Sequence, residues 1–299
     1  MSIEVRPAET DADLEGWIRV KRAVFPNESA WTVQEFRERQ EPDQLVVVAA
    51  LDGDVVGAGL AGRSDVQGRG FVAPRVHPAA RRRGVGTAML YRLTGHVAGL
   101  GFDKAWTSVD DEGSQAFAER FGFEEVDREV EQVIALPAEL PEASIPDGID
   151  VVSIAYRPEL LREAYSLAQG EGYADMAIDG DVVIPLEDWL RDEATLPAGS
   201  FVALDRGRIV GFSGLMRHDN PGVAEDGLTV VARDWRRRGL AIALKRLELA
   251  WGAENGFSEG RTWTPRRNEG MRKGNERLGY TYRTVGLKMM GSVPLAPLR

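Results

Sequence analysis

Apolar positions along this chain switch repeatedly between two periods. Short continuous or alternating runs read as strands, and spacings of three and four residues read as helices. Two brief strand patterns, Ile3-Glu4-Val5 and Ile149-Asp150-Val151-Val152, are each followed by amphipathic stretches of helical character. Leu45 to Leu51 and Val55 to Leu60 then meet across Asp52-Gly53, and Phe201 to Leu204 and Ile209 to Leu215 meet across Asp205-Arg206-Gly207, both hairpin signals. A further strand ends at Val76, and its counterpart ends at Val231. Helices follow, with Met89, Leu90, Leu93, Val97 and Leu100 in one and Leu240, Leu244, Leu247 and Trp251 in the other; Gly101 and Gly256 stop them. Strands at Lys104 to Val109 and Gly260 to Thr264 come next, then last helices ending at Gly122 and Gly279. Closing strands at Glu124 to Leu136 and Thr281 to Val293 complete the pattern.

The two series are one pattern occurring twice. Arg81-Arg82-Arg83-Gly84-Val85-Gly86 returns as Arg236-Arg237-Arg238-Gly239-Leu240-Ala241, and the offset from Gly84 to Gly239 is 155 residues. The hairpin glycines Gly57 and Gly211 give 154, and Gly122 and Gly279 give 157. Anchors that drift so little point to a duplication of one domain-sized unit. The expected fold class is α/β (α+β), with two tandem domains at residues 1–140 and 149–299. The connector Pro137 to Asp150, stiffened by Pro137, Pro141 and Pro146, separates them.

Composition narrows the function. The chain has 299 residues, enough for two cores, and its apolar runs are far shorter than the ~20 residues a bilayer crossing needs, so no membrane partner is expected. Cysteine is absent, which rules out disulfides and a Cys-bound acyl intermediate and suits a reducing cytoplasm. Net charge is −10, which disfavours nucleic acid and leaves the two arginine triplets as positive islands suited to a small anionic ligand.

A strand, an arginine-glycine turn and then a helix place unpaired amides at a helix N-terminus, which is an anion site. Small residues at Gly84 and Gly86, or at Gly239 and Ala241, let a phosphate approach the backbone. A pyrophosphate is the expected guest. The Gly-Lys-Ser/Thr of a P-loop is missing from both turns, and the third glycine and early position of a dinucleotide fingerprint are missing as well. His77, His96 and His218 have no partner at metal-ligand spacing, and Ser213 and Ser258 lack a nucleophile elbow.

With these motifs the chain resembles the GCN5-related N-acetyltransferase (GNAT) superfamily, whose acyl-CoA signature is Q/R-x-x-G-x-G/A between a fourth strand and a third helix. Val76-His77-Pro78-Ala79-Ala80-Arg81 looks like the family's V-x-P-x-x-R lead-in. The resemblance implies two domains, each a mixed, mostly antiparallel sheet flanked by helices. It implies acetyl-CoA as co-substrate, held by Val76 and Arg81, Arg82, Arg83, Gly84, Val85, Gly86 and Thr87 in one half. In the other half it implies Val231 and Arg236, Arg237, Arg238, Gly239, Leu240 and Ala241, with Asn268 as a further contact. A main-chain N–H near Val231, where the family's fourth strand bulges, would stabilise the oxyanion.

The last helix departs from the family. Its usual tyrosine, which protonates the leaving thiolate in many members, is Asn275 here and Ala118 in the first half, so Tyr280 and Tyr282 remain as distant candidate acids. A fourth-strand glutamate that serves some members as general base falls on Glu225, with Gly70 at the same count in the first half. The expectation is therefore a catalytic second half and a degenerate first half. Together they would be an N-acetyltransferase moving acetyl directly to a primary amine of a small molecule or peptide, the alternative being a non-catalytic acyl-CoA-binding or regulatory protein. The acidic segment Glu171 to Glu193, with Asp175, Asp179, Asp181, Glu187, Asp188 and Asp192, suits a cationic acceptor if it is not simply a solvated face.

Overall fold

The repeated pattern folds into a repeated set of elements. The computed structural model describes residues 2–26, 31–141, 144–177, 180–218 and 220–296. The first half forms β1 (Ile3–Pro7), α1 (Asp11–Val24), α2 (Val33–Glu38), β2 (Leu45–Leu51), β3 (Asp54–Arg63), β4 (Gly70–Val76), α3 (Val85–Gly99), β5 (Lys104–Val109), α4 (Glu112–Arg120) and β6 (Glu124–Ala135). The second half forms β7 (Ile149–Ser153), α5 (Glu159–Leu167), α6 (Ala174–Met176), α7 (Leu186–Asp192), β8 (Phe201–Asp205), β9 (Arg208–Arg217), β10 (Val223–Val231), α8 (Leu240–Glu254), β11 (Glu259–Pro265), α9 (Glu269–Leu278) and β12 (Thr281–Ser292). A π-helical turn, Ala168–Tyr173, joins α5 to α6. None of the described helices is long and apolar enough to cross a membrane.

Local chemistry explains the boundaries. Thr10 caps α1 through a reciprocal box with Asp13, and Thr32 caps α2 in the same way with Glu35. Asp52-Gly53 and Arg206-Gly207 hold positive φ at both positions, the mirror-image turn whose twist matches a two-residue hairpin.

By contacts the chain forms two compact units, Met1–Val126 with Leu287–Arg299, and Asp127–Gly286. The repeat in sequence and the compact units therefore have different bounds, because the closing strand of each half is divided between them. In the first unit the sheet order is β1-β2-β3-β4-β5-β12, all antiparallel neighbours except β4 and β5. In the second it is β7-β8-β9-β10-β11-β6, with β10 and β11 the parallel pair. The connector segment after Leu136 lies inside the second unit.

One irregularity separates the units. The β3–β4 register runs unbroken from Gly57↔Val76 to Arg63↔Gly70. Along β9–β10 it slips: Asp226 faces Leu215 but Thr229 faces Ser213, so β10 carries an extra residue at Gly227-Leu228, a β-bulge. Pairing of β10 with β11 ends at Asp226↔Thr262, although β10 runs on to Val231 and β11 to Pro265. The strands splay beyond that point. In the first unit only Gly70 and Phe71 pair across to β5.

The cores differ at matching positions. The first unit buries Val72, Leu90, Leu93 and Phe123 in one apolar cluster with Val47, Val97 and Met289. The second unit holds Asp226, Lys245, Glu248 and Tyr280 at the corresponding places, all buried.

Candidate active site

Both arginine-glycine turns have the same backbone. A short 3₁₀ turn, Pro78–Ala80 or Arg233–Trp235, follows the strand. Arg82 and Arg237 then take φ of 64° and 63°, and Gly84 and Gly239 take 87° and 84° as helix N-caps. A non-glycine residue in the left-handed region costs of order 1 kcal/mol, and finding that strain twice at one place marks a conformation kept for the loop's geometry. The first helical donors to a backbone carbonyl are Ala88, bonding Gly84, and Ala243, bonding Gly239. Among the described residues no hydrogen bond engages the amides of Arg82 through Thr87 or Arg237 through Ile242. A Cβ built on Gly239 would meet no protein atom within 4 Å, whereas one on Gly84 would meet Ile3 Cδ1 at 3.4 Å, so the second turn is the more open at its glycine. Each turn thus ends in a row of unpaired amides at a helix N-terminus.

The arginine side chains do less for that cradle than the motif implied. Arg236 donates Nε–H to the Val231 carbonyl at 2.9 Å, and its other nitrogens bond Asp175 at 2.7 Å and Glu171 at 3.1 Å. Its guanidinium is thus committed to tying the π-turn and α6 to the end of β10. Arg81 makes the same Nε–H bond to Val76 at 3.4 Å. Arg238 lies 4.5 Å over the Trp235 ring and donates to the Asp234 carbonyl. Arg237 and Arg83 are exposed. Glu171 and Asp175 are correspondingly neutralised by Arg236 and Arg233, and Asp188 and Asp192 by Arg191. Four of the eight acidic side chains of the segment thus have an arginine partner, and Asp179 lies outside the described residues.

The Val231 amide faces away from β9. Ala232 donates its N–H to Val210 on β9, so strand alternation turns the Val231 N–H toward the opposite edge, where β11 has diverged. Its carbonyl on that edge is the one capped by Arg236. Glu225 is half-buried on β10, in the third of the four pairs of the parallel ladder, opposite Arg261. Arg261 in turn contacts His218 at 2.9 Å and Glu131 at 3.1 Å. Register corrects the comparison with the first unit: because of the bulge, Glu225 corresponds to Phe71 rather than to Gly70.

Glu193 is a residue that the sequence reading passed over. It follows α7 directly and accepts the N–H of Leu228, inside the bulge, at 2.9 Å. A Cβ placed on Gly214 or on Gly227 would overlap its Oε1, so the two glycines form the slot the carboxylate occupies. Burial pushes the Glu193 carboxyl up to about 7; the Leu228 amide pulls it down, and Asp192 and Glu225 push it further up. The only sequence signal was a carboxylate at a helix end, which is indistinguishable from a solvated one.

On the other face of β10, Lys245 Nζ lies 2.6 Å from Asp226 Oδ2, and the Tyr280 hydroxyl donates to the same oxygen. Burial and Asp226 raise both the Tyr280 phenol and the Glu248 carboxyl well above their ordinary ranges. Tyr280 is therefore sealed away from any departing thiolate, and the exposed Tyr282 hydroxyl is taken by Glu276. Asn275 is fully buried and donates to Gln132 at 3.0 Å, so it fills a packing role where the family has its acid. Asn268 caps α9 by accepting from Met271 at 3.2 Å; Asp111 does the same for α4 through Ser114.

Known proteins match over both halves. The description Acetyltransferase (GNAT) family matches residues 12–123 and 159–280. Among curated relatives, a mycothiol acetyltransferase of Salinispora tropica is 29% identical over 66% of this chain and 63% of its own length. One of Clavibacter michiganensis is 30% identical over 72% and 69%. The chain thus spans slightly under two thirds of the length of the Salinispora relative. Two solved structures share the fold at a TM-score of 0.76: a GCN5-related N-acetyltransferase from Sphaerobacter thermophilus, 19% identical over 99% of this chain and 98% of its own, and a tandem GNAT protein from the clavulanic acid biosynthesis pathway, 20% identical over 99% and 100%. With both halves matched and both cradles in place, the chain belongs to the acetyltransferase (GNAT) family.

Proposed function

We propose that this protein is an acyl-CoA-dependent N-acyltransferase that moves acetyl from acetyl-CoA directly to a primary amine, with the chemistry in the second unit. The observation that carries this reading is the coincidence, in that unit alone, of an open amide cradle, a bulged and splayed strand edge, and carboxylates beside the bulge. The amides of Arg237 through Ile242 would bind the pyrophosphate, and the Val231 N–H would meet the oxyanion of the tetrahedral species. Glu225, directly or through water, would take the proton that the acceptor must lose before attack, assistance typically worth about 10² to 10⁴ in rate. Asn268 would contribute its amide group to the coenzyme.

The first unit keeps the cradle and lacks the bulge, the base and the carboxylate slot. It serves as a scaffold, or binds coenzyme without turnover. The relatives' name, mycothiol acetyltransferase, supports a small-molecule acceptor, and carboxylates at the splay favour a cationic one. The test is release of CoA thiol from acetyl-CoA across a panel of amines, with calorimetry for coenzyme binding. Glu225→Gln is expected to cut turnover about tenfold or more with binding intact, and unchanged turnover overturns its role. Binding without thiol release for any amine would instead favour the regulatory reading that Asn275, in place of the tyrosine, keeps open.

A further inference from the structure

Duplication makes the first unit an internal control, and the differences converge on one spot. Where the second unit has Gly214, counting from the matched Gly57 and Gly211 gives Leu60 in the first. Where the second has the extra residue of the bulge, the first has none. Both changes are needed to seat the Glu193 carboxylate, since one removes side-chain bulk and the other exposes the Leu228 amide that holds it. A half-buried carboxylate enclosed by Gly214 and Gly227, with an amide rather than a cation as its partner, is costly, so a slot built for one calls for a use.

The chemistry of amide formation supplies that use, given the acyltransferase reading on which this inference rests. An ammonium acceptor must shed two protons: R–NH₃⁺ and CH₃CO–S–CoA become R–NH–COCH₃, HS–CoA and H⁺. One proton leaves before the nitrogen lone pair attacks the carbonyl carbon. The second leaves the positively charged nitrogen of the tetrahedral species, as the C–S bond breaks and its electron pair departs on sulfur. The thiolate then needs a proton, and the residue at the family's tyrosine position, Asn275, is buried and cannot give one.

We propose that Glu193 is a second proton-transferring carboxylate of this site, which takes the second proton from the tetrahedral nitrogen and returns it to the CoA thiolate while Glu225 handles the first. Its carboxyl, raised to about 7, lies close to the ~8.5 of an ordinary thiol, so transfer in either direction is nearly balanced. The groups that face it are Asp192 beside it, Glu225 on β10 and, across the sheet, Glu248 on α8. Lys245 on that far face is bound to Asp226, and Arg191 on α7 to Asp188 and Asp192.

Glu193→Gln tests the assignment, because the amide oxygen still accepts the Leu228 N–H but cannot carry a proton. With the full chain, acetyl-CoA and the best amine of the panel, kcat is expected to fall about tenfold or more. The KM for acetyl-CoA and the melting temperature should hold, and the inflection of kcat near pH 7 should be lost. Gly227→Ala, which crowds the carboxylate out of its slot without removing it, should lower kcat in the same way. An active wild-type chain whose E193Q variant keeps its kcat and its pH profile overturns this inference alone. A wild-type chain that releases no thiol with any amine overturns the acyltransferase reading and this inference together.

Discussion

Lys245→Met is the most demanding test of how the second unit is built. Lys245 and Asp226 are 1% and 4% exposed, their charges 2.6 Å apart, and replacing the ammonium leaves a carboxylate in the core with only Tyr280 to solvate it. Breaking one side of a buried pair typically costs about 3 to 5 kcal/mol. For a unit of this size each kcal/mol moves the melting temperature by roughly 2 to 4 °C, so a fall of about 10 °C is expected. The first unit supplies the reference, since it fills the same four places with Val72, Leu90, Leu93 and Phe123. A combined Asp226→Val, Lys245→Leu, Glu248→Leu and Tyr280→Phe variant should therefore recover the loss or exceed the wild type by about 1 to 4 kcal/mol, as hydrophobic replacements of buried ion pairs often do. Calorimetric melting of the full chain, with hydrogen exchange to assign each transition to its unit, reads both variants. A K245M loss under about 1 kcal/mol, or a fourfold variant no better than the single one, would refute the argument that these charges stabilise only as a set.

Two other outcomes follow from the same geometry. Gly239→Ala adds a methyl that meets no protein atom, so it should weaken acetyl-CoA binding about tenfold or more in calorimetry with a stability loss of only ~1 kcal/mol; Arg236→Met, whose guanidinium is committed internally, should weaken binding less than that, and the reverse order would mean the guanidinium leaves Glu171 and Asp175 for the ligand. Asp13, bonded by both Arg6 nitrogens at 2.6 and 2.8 Å, is held below the usual carboxylate range by that guanidinium, so its stabilisation is complete above about pH 4 and lost as the pH falls through its folded value; Asp13→Asn should flatten the acid limb of melting temperature against pH.

Much of the fold was legible because its signals are local. Hairpins at Asp52-Gly53 and Arg206-Gly207, helix stops at Gly101 and Gly256, and both arginine-glycine cradles depend on backbone preferences within a few residues. The absence of a tyrosine at Asn275 and Ala118 was legible for the same reason. The role of Arg236 was not, because a guanidinium beside a phosphate loop looks the same in sequence whether it faces a ligand or a carboxylate more than 60 residues upstream. The counterpart of Glu225 was misplaced by one position, because a bulge is an insertion into a ladder and leaves no mark that counting can detect.

Sequence alone thus determined the duplication, the order of elements, the two arginine-glycine turns and the absence of the usual tyrosine, all properties of short segments whose φ preferences and apolar periods stand on their own. Only the tertiary structure decided which side chains share the core and the bulge of the second unit. Asp226, Lys245, Glu248 and Tyr280 are scattered over more than 50 residues, and Glu193 meets Gly214 and Gly227 only once β9 and β10 pair out of register. The charge state and the use of a carboxylate are set by what surrounds it in space, and burial is a property of the folded ensemble of side chains rather than of any one of them.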